Sequence, residues 1–250
     1  MESLLGIDEL KIYRGSDIEI TNGITIHQPT LGEICDFGEM EYFSLVHNIT
    51  AVGADMKWQL WDAGIDYTKI TDYELFCNVL IKIISESDAS IIFNDLNFGN
   101  FKVYEKTQND ISEIVLYDQT KDIMINEYIY TMIVSALREI HKLKRNDEVP
   151  GTTSTKMVLI EDARDEFNAN KNKKFHSNLK NLISSMTNCE GFKYSHSNVW
   201  DMKINAFMDS VRRIIKIRDA FILYQSGHFA YGIDLKKIDN KKLDWIGELD

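Results

Sequence analysis

Proline and cysteine are scarce in this chain, and long hydrophobic runs are missing from it. Only 2 of the 250 residues are proline and only 3 are cysteine. The cysteines Cys35, Cys77 and Cys189 lie far apart in the sequence, which excludes a disulfide framework and the C-x-x-C spacing of a zinc site. No apolar run approaches the roughly 20 residues that a membrane helix needs, so we expect no contact with a membrane.

Motifs for nucleotide, metal and hydrolytic chemistry are also missing. The sequence contains no G-x-x-x-x-G-K-[ST], no G-x-G-x-x-G after a strand, no H-E-x-x-H and no G-x-S-x-G. The stretch DLNFGN, which begins at Asp95, departs from a calcium loop because its glycine comes one position early and Lys106 stands where glutamate is needed. We therefore expect no cofactor and no metal ion, and we predict a turn at this stretch.

The charge is negative overall and unevenly distributed. The net charge is -11, and residues 1–100 hold 5 Lys and Arg against 17 Asp and Glu. Such an acidic half repels phosphate, which argues against a nucleic-acid partner. Residues 151–250 hold 16 Lys and Arg against 13 Asp and Glu. Their basic clusters indicate a solvated helix face or, alternatively, a nucleic-acid-binding module that uses Lys171, Lys173, Lys174, Arg212, Arg213 and Arg218.

The N-terminal part predicts a hairpin followed by a capped helix. Asn22 and Gly23 lie between two alternating apolar runs in IEITNGITI, which is a strong hairpin signal. Pro29 ends the sheet, and Thr30 with Glu33 matches the capping box that starts a helix. Gly38 is expected to kink or split that helix, and the preceding stretch LKIYRG is expected to form a third strand.

The carboxylates of this region allow two interpretations. In the first, Glu33 caps the helix while Asp36, Glu39 and Glu41 face water. In the second, the chain is a hydrolase, and a cleft gathers at least two of Glu33, Asp36, Glu39, Asp95 and Asp122 with raised pKa values. A thiol–imidazole pair of Cys189 and His196 is a further possibility for the same class of enzyme.

The rest of the chain predicts an α+β protein that is predominantly helical. A helix over residues 54–64 ends at Gly64, and Thr71 with Glu74 forms a second capping box. Residues 89–125 are expected to form three or four strands of a small central antiparallel sheet, including the stretch ASIIFNDLNF, before a helix over residues 126–143. We predict an acidic domain over residues 1–145, a polar linker over residues 146–155 around Pro150 and Gly151, and a helical C-terminal region over residues 156–250.

Four tryptophans indicate where the chain buries surface. Trp58 and Trp61 are three residues apart on one helix face, and we expect both to lie in the core. Trp200, Trp245, Ile246 and Leu249 are the candidates for contact with a partner, with docking onto their own domain as the alternative.

Two stretches carry a family resemblance. ITIHQPTLGEICDFGEMEYF, residues 24–43, and the closing pattern VWDMKINAFMDSVRRI…YGIDLKKIDNKKLDWIGELD, residues 199–250, resemble uncharacterised proteins from the tail modules of phages that infect Gram-positive bacteria. The resemblance covers under half of the chain and transfers no functional residue.

The resemblance implies a non-enzymatic protein of tail or baseplate morphogenesis, either an assembly chaperone or a structural subunit. The expected partners are other phage tail or baseplate proteins, or a second copy of the chain. The sequence begins MESLLGIDELKIYRG, which has no basic start and no apolar signal segment. The expected location is therefore the host cytoplasm, with incorporation into the virion if the protein is a structural subunit.

Overall fold

Helices and antiparallel strands share one core in this chain, and the helices predominate, as the sequence predicts. The computed structural model describes residues 9–108, 111–227, 232 and 234–244. The strands are β1 (Ile18–Thr21), β2 (Ile24–Ile26), β3 (Lys102–Gln108), β4 (Ile111–Asp118) and β5 (Ile123–Ile125). The helices are α1 (Glu9–Arg14), α2 (Leu31–Phe37), α3 (Glu39–Thr50), α4 (Lys57–Asp62), α5 (Asp72–Leu75), α6 (Ile81–Ser85), α7 (Ser90–Phe93), α8 (Glu127–His141), α9 (Thr153–Asn170), α10 (Asn178–Thr187), α11 (Ile204–Gly227) and α12 (Asn240–Leu243).

The hairpin and the first capping box form as predicted. Strands β1 and β2 pair antiparallel, and Gly23 has a φ of +88° in the turn between them. The hydroxyl of Thr30 accepts from the backbone N–H of Glu33, and the Glu33 carboxylate accepts from the Thr30 N–H at 2.6 Å. Gly38 separates α2 from α3, so the predicted split is confirmed.

The predicted strand at LKIYRG is wrong, because these residues belong to the short helix α1. Only Ile12 of this helix is buried, so the pattern lacks the alternation of a half-buried strand. The Ile12 carbonyl accepts from the buried side-chain amides of Gln28, at 3.1 Å, and Asn205, at 2.8 Å. Two amides from distant parts of the chain therefore hold the end of α1.

The central sheet has three strands in the order β3-β4-β5, and all pairs are antiparallel. The predicted strand at ASIIFNDLNF, residues 89–98, is wrong: α7 occupies its first half, and a 3-10 turn, Phe98–Asn100, begins at its last residue. The Asp88 carboxylate accepts from the backbone N–H of Ser90, the first residue of α7, at 2.9 Å. Ile92 and Phe93 are adjacent and both buried, whereas adjacent residues of a strand with one buried and one exposed face alternate between the two.

Helix α8 lies at the centre of the core. It packs against α3, α5, α11, β1 and β5. Its apolar side chains recur every three or four residues, which places one broad face against its neighbours. The buried residues of α8 are Tyr130, Ile133, Val134, Ala136, Leu137, Ile140 and His141.

Residues 146–152 of the predicted linker have neither helix nor strand, whereas residues 153–155 belong to the first turn of α9. Ion pairs of this stretch and of the neighbouring Arg145 fix it to the acidic part of the chain. The Arg145 guanidinium contacts both carboxylate oxygens of Asp72, at 2.9 and 3.1 Å. Lys57 forms an ion pair with Glu148. Buried side chains from both sides of this stretch belong to one core cluster. The division into two domains stays a prediction.

Helix α9 packs on α4 mainly through long side chains, and this contact corrects the prediction for one tryptophan. Trp58 is partly buried and lies 5.0 Å from the ring of Phe167. Trp61 is 40% exposed and contacts the ammonium group of Lys156, so its placement in the core is wrong.

Across the described residues, no helix combines the length and hydropathy that a bilayer crossing requires.

Candidate functional site

One face of helix α3 is buried in the core, and a neighbouring face carries apolar residues together with the polar residues Ser44 and His47. Tyr42, Leu45 and Ile49 are buried against the rest of the molecule. Met40 and Phe43 lie on the neighbouring face, three residues apart, where the side chain of Met40 is 49% exposed. Phe43 is partly buried against the core, so Met40 is the exposed apolar residue of this face.

Helix α10 forms the opposite wall, and a capping interaction fixes its position. The Glu39 carboxylate accepts a hydrogen bond from the backbone N–H of Leu179 at 3.0 Å. Ser177 caps the same helix by accepting from the N–H of Lys180 at 2.8 Å. Glu39, at the start of α3, therefore holds the first turn of α10 beside it.

These walls and the first turns of α11 enclose a groove of about 610 Å³. Phe175, which precedes α10, also lines the groove and is 55% exposed. Six apolar residues line the groove together with the polar residues Glu39, Ser44, His47, Asn48 and Asn178. Methionine adapts its shape to a bound side chain better than branched residues do. We call this site the apolar groove and define it by Met40, Phe43, Phe175, Leu179, Leu182 and Met208.

Backbone hydrogen bonds fix the third wall. The N–H of Ile204 donates to the Pro29 carbonyl, and the N–H of Leu31 donates to the Met202 carbonyl, each at 2.9 Å. This bridge joins the start of α2 to the start of α11 and so sets Met208 opposite α3. The groove can accept apolar side chains from another molecule, because its walls are held independently of any occupant.

The structure brings together only two of the five carboxylates that we considered for catalysis. Asp95 and Asp122 line a separate polar cleft of about 570 Å³. In it, Asp122 accepts a hydrogen bond from the Tyr117 hydroxyl at 2.6 Å, and the Lys121 ammonium donates to the Asp95 carbonyl at 2.6 Å. Asp36 is exposed on α2, apart from that cleft.

Glu33 does not have the raised pKa that an acid catalyst in this region requires. Burial raises the pKa of Glu33, but hydrogen bonds from the backbone and side chain of Thr30, with the charges of Lys203 and His27, outweigh it. The net result is a pKa below the ordinary value. Glu33 therefore stays ionised and acts as a helix cap.

The Cys189 and His196 side chains have different neighbours. The Cys189 thiol donates to the carbonyl of Glu190 at 3.4 Å, and the His196 ring packs edge-on against Trp200 with 5.9 Å between ring centroids. Within the described residues, no hydrogen bond joins the thiol to the imidazole. In the same part of the chain, no group of three or more His, Cys, Asp and Glu side chains could hold a metal ion.

The predicted basic residues fall on two elements. Lys171, Lys173 and Lys174 lie in the turn after α9, whereas the three arginines lie on α11. Arg212 alone of these six lines a second groove, of about 570 Å³, between α11 and α12. We call it the basic groove and define it by Arg212, Ile215, Lys216, Asp219, Ile222, Leu223, Lys241 and Lys242.

The predicted partner-binding residues are only partly described. Trp200 lies in a 3-10 turn, Val199–Asp201, and is partly buried against the core. Trp245, Ile246 and Leu249 lie outside the described residues.

Sequence reasoning missed the apolar groove, although one signal for it was present. The helical pattern of α3 contains more apolar positions than one buried face needs, and the surplus residues Met40 and Phe43 are groove residues. The contributions of Phe175, Leu182 and Met208 could not be found, because they depend on how distant helices pack.

No protein-family model matches this chain, and no curated protein or solved structure matches it either.

Proposed function

We propose that this protein is a non-enzymatic phage protein of tail or baseplate morphogenesis that binds other tail proteins through the apolar groove. The observation that carries the proposal is the exposure of Met40 and Phe175 at a preformed groove of about 610 Å³. Burying these exposed apolar side chains against a partner removes them from water, which is favourable, so the groove suits contact with another protein.

The resemblance to phage tail-module proteins supports the proposed role, although it transfers no site residue. The two stretches that resemble those proteins are residues 24–43 and 199–250. The first contributes Met40 and Phe43 to the apolar groove, and the second contributes Met208.

Two roles fit this proposal, and they differ in whether the protein remains in the finished particle. An assembly chaperone holds a tail protein until assembly and is absent from the finished particle. A structural subunit stays in the virion at a fixed copy number. In both roles the protein is made in the host cytoplasm.

The test is capture of tail proteins from infected cells by two tagged double variants. Met40→Asp with Phe175→Asp places charge in the apolar groove at two largely exposed positions. Tyr128→Asp with Val158→Asp makes the same chemical change at two exposed apolar residues outside it, on α8 and α9. We expect wild type and the control to capture the same tail proteins and the groove variant to lose them. Equal capture by both variants would overturn the assignment of the groove.

A further inference from the structure

The apolar groove and the basic groove share one face of α11. Met208 lines the first, and Arg212, Ile215, Asp219 and Ile222 line the second. These residues are separated by steps of three or four, so they form one stripe along the helix. From Met208 to Ile222 the stripe is about 21 Å long at a rise of about 1.5 Å per residue. The two grooves therefore lie end to end.

The chemistry changes along this stripe. At the Met208 end the lining combines apolar residues with Glu39, Ser44, His47, Asn48 and Asn178. Among the described residues that line the other end, Arg212, Lys216, Lys241 and Lys242 are basic and Asp219 is acidic. The chain as a whole has a net charge of -11, whereas residues 151–250, which supply this groove, hold more Lys and Arg than Asp and Glu. An acidic segment is repelled by most of the molecule and attracted here.

Hydrogen bonds at both ends hold helix α12, which carries Lys241 and Lys242. The Asp239 carboxylate accepts from the backbone N–H of Lys241 at 3.0 Å and caps the helix. At the other end of α12, the Tyr224 hydroxyl of α11 donates to the Leu243 carbonyl at 3.3 Å. Lys241 and Lys242 are both exposed and line the same groove.

We propose that the partner segment is an amphipathic helix with an acidic end. Its apolar face fills the apolar groove, and its acidic end lies over the basic groove against Lys241 and Lys242. This inference rests on the proposed function and names the chemistry of the partner. A helix suits the site because its side chains recur with the same period as the α11 stripe, and helix-in-groove binding is a common recognition mode. A nucleic acid fits less well, because it cannot fill a groove of leucine, methionine and phenylalanine with charged backbone.

Three synthetic helical peptides of about 18 residues, or about 27 Å at the helical rise, test the proposal against the full chain. The first has leucines on one face and glutamates in its last turns. The second replaces the glutamates by lysines, and the third replaces the leucines by serines. Fluorescence anisotropy at low salt should show the first peptide binding about tenfold more tightly than either of the others, with the advantage over the lysine peptide shrinking near 0.5 M salt.

A charge swap makes the result specific to the basic groove. Lys241→Glu with Lys242→Glu should reverse the preference, so that the lysine peptide binds more tightly than the glutamate peptide. Lys82→Glu with Lys102→Glu changes two exposed lysines elsewhere and should leave the preference unchanged.

Failure of this inference differs from failure of the proposed function. Equal binding of the glutamate and lysine peptides, or tighter binding of a labelled single-stranded RNA than of any peptide, overturns the acidic helix. If the glutamate and lysine peptides bind equally, the role of the apolar groove in tail-protein capture is unaffected. Loss of tail-protein capture altogether overturns the proposed function itself.

Discussion

The side chains of Tyr42 and His141 form a buried hydrogen bond that joins α3 to α8. The Tyr42 hydroxyl donates to Nε2 of His141 at 2.6 Å, and Nδ1 of the same ring donates to the Leu137 carbonyl at 2.8 Å. Both ring nitrogens are thereby satisfied with the imidazole neutral. Burial lowers the pKa of His141 to about 4, although the bond to Leu137 acts in the opposite direction.

Acid should destabilise the fold through His141. An unfolded histidine has a pKa near 6.5, so as pH falls the unfolded chain takes up a proton before the folded one does. The contribution of His141 is fully present above about pH 6.5 and is lost between there and about pH 4, which amounts to roughly 3 kcal/mol. Urea denaturation at a series of pH values should show this loss.

The matched variants separate His141 from the other titrating groups. His141→Gln should flatten the pH dependence between about 6.5 and 4, whatever its effect on absolute stability. Tyr42→Phe keeps the buried imidazole and should keep the slope. Identical slopes for wild type and His141→Gln would contradict the assignment.

Lys156 should anchor α9 to the acidic part of the chain. Its ammonium group pairs with Asp66 and lies 5.7 Å from the ring centroids of both Trp61 and Tyr67. Hydrogen bonds from Lys156 and Thr68 lower the pKa of Asp66 to about 2. Lys156→Met keeps the aliphatic stem and removes the charge, so we expect a loss of about 1–2 kcal/mol in the free energy of unfolding.

The control for this variant is Lys171→Met, which changes an exposed lysine at the end of the same helix. Its effect should stay within about 0.5 kcal/mol. Equal effects of the two substitutions on urea denaturation would show that Lys156 is not an anchor.

Gly53 should not tolerate a side chain. A Cβ atom at this position would lie 2.4 Å from the carbonyl oxygen of Tyr67, and backbone cannot move aside as a flexible side chain can. Gly53→Ala should therefore lower the free energy of unfolding by about 1–3 kcal/mol. Gly151→Ala, where a Cβ meets nothing within 4 Å, should change it little. Thermal unfolding that is the same for both variants would refute the expected clash.

The Thr30 cap should contribute measurably to stability. Thr30→Ala removes the hydroxyl that accepts from the Glu33 N–H at 3.1 Å, and the expected cost is about 1 kcal/mol. Thr30→Ser keeps the acceptor and should retain most of that stability. If serine and alanine destabilise the protein equally in chemical denaturation, the hydroxyl contributes nothing.

Local signals in the sequence predicted the elements whose structure is decided locally. The Asn22–Gly23 turn, the capping boxes at Thr30 and Thr71, and the split at Gly38 all depend on residues within a few positions of each other. Because these hydrogen bonds join residues that are close in the sequence, they depend little on distant contacts. The local sequence pattern was therefore sufficient to predict them.

Tertiary contacts decided the elements that the sequence mispredicted. Helix α1 is fixed by amides of Gln28 and Asn205, and the latter lies 193 residues from the carbonyl that it contacts. The apolar groove likewise combines Met40 with Phe175 and Met208, whose proximity follows from the packing of α3, α10 and α11. No local pattern contains that information.

Capture of the tagged protein from infected cells, analysed beside the protein content of purified particles, tests the central claim most directly. The account predicts that tail or baseplate proteins co-purify with the chain. Its absence from particles would then identify an assembly chaperone, and its presence at a constant ratio a structural subunit. A chain that captures no tail protein and is absent from particles would contradict a role in morphogenesis.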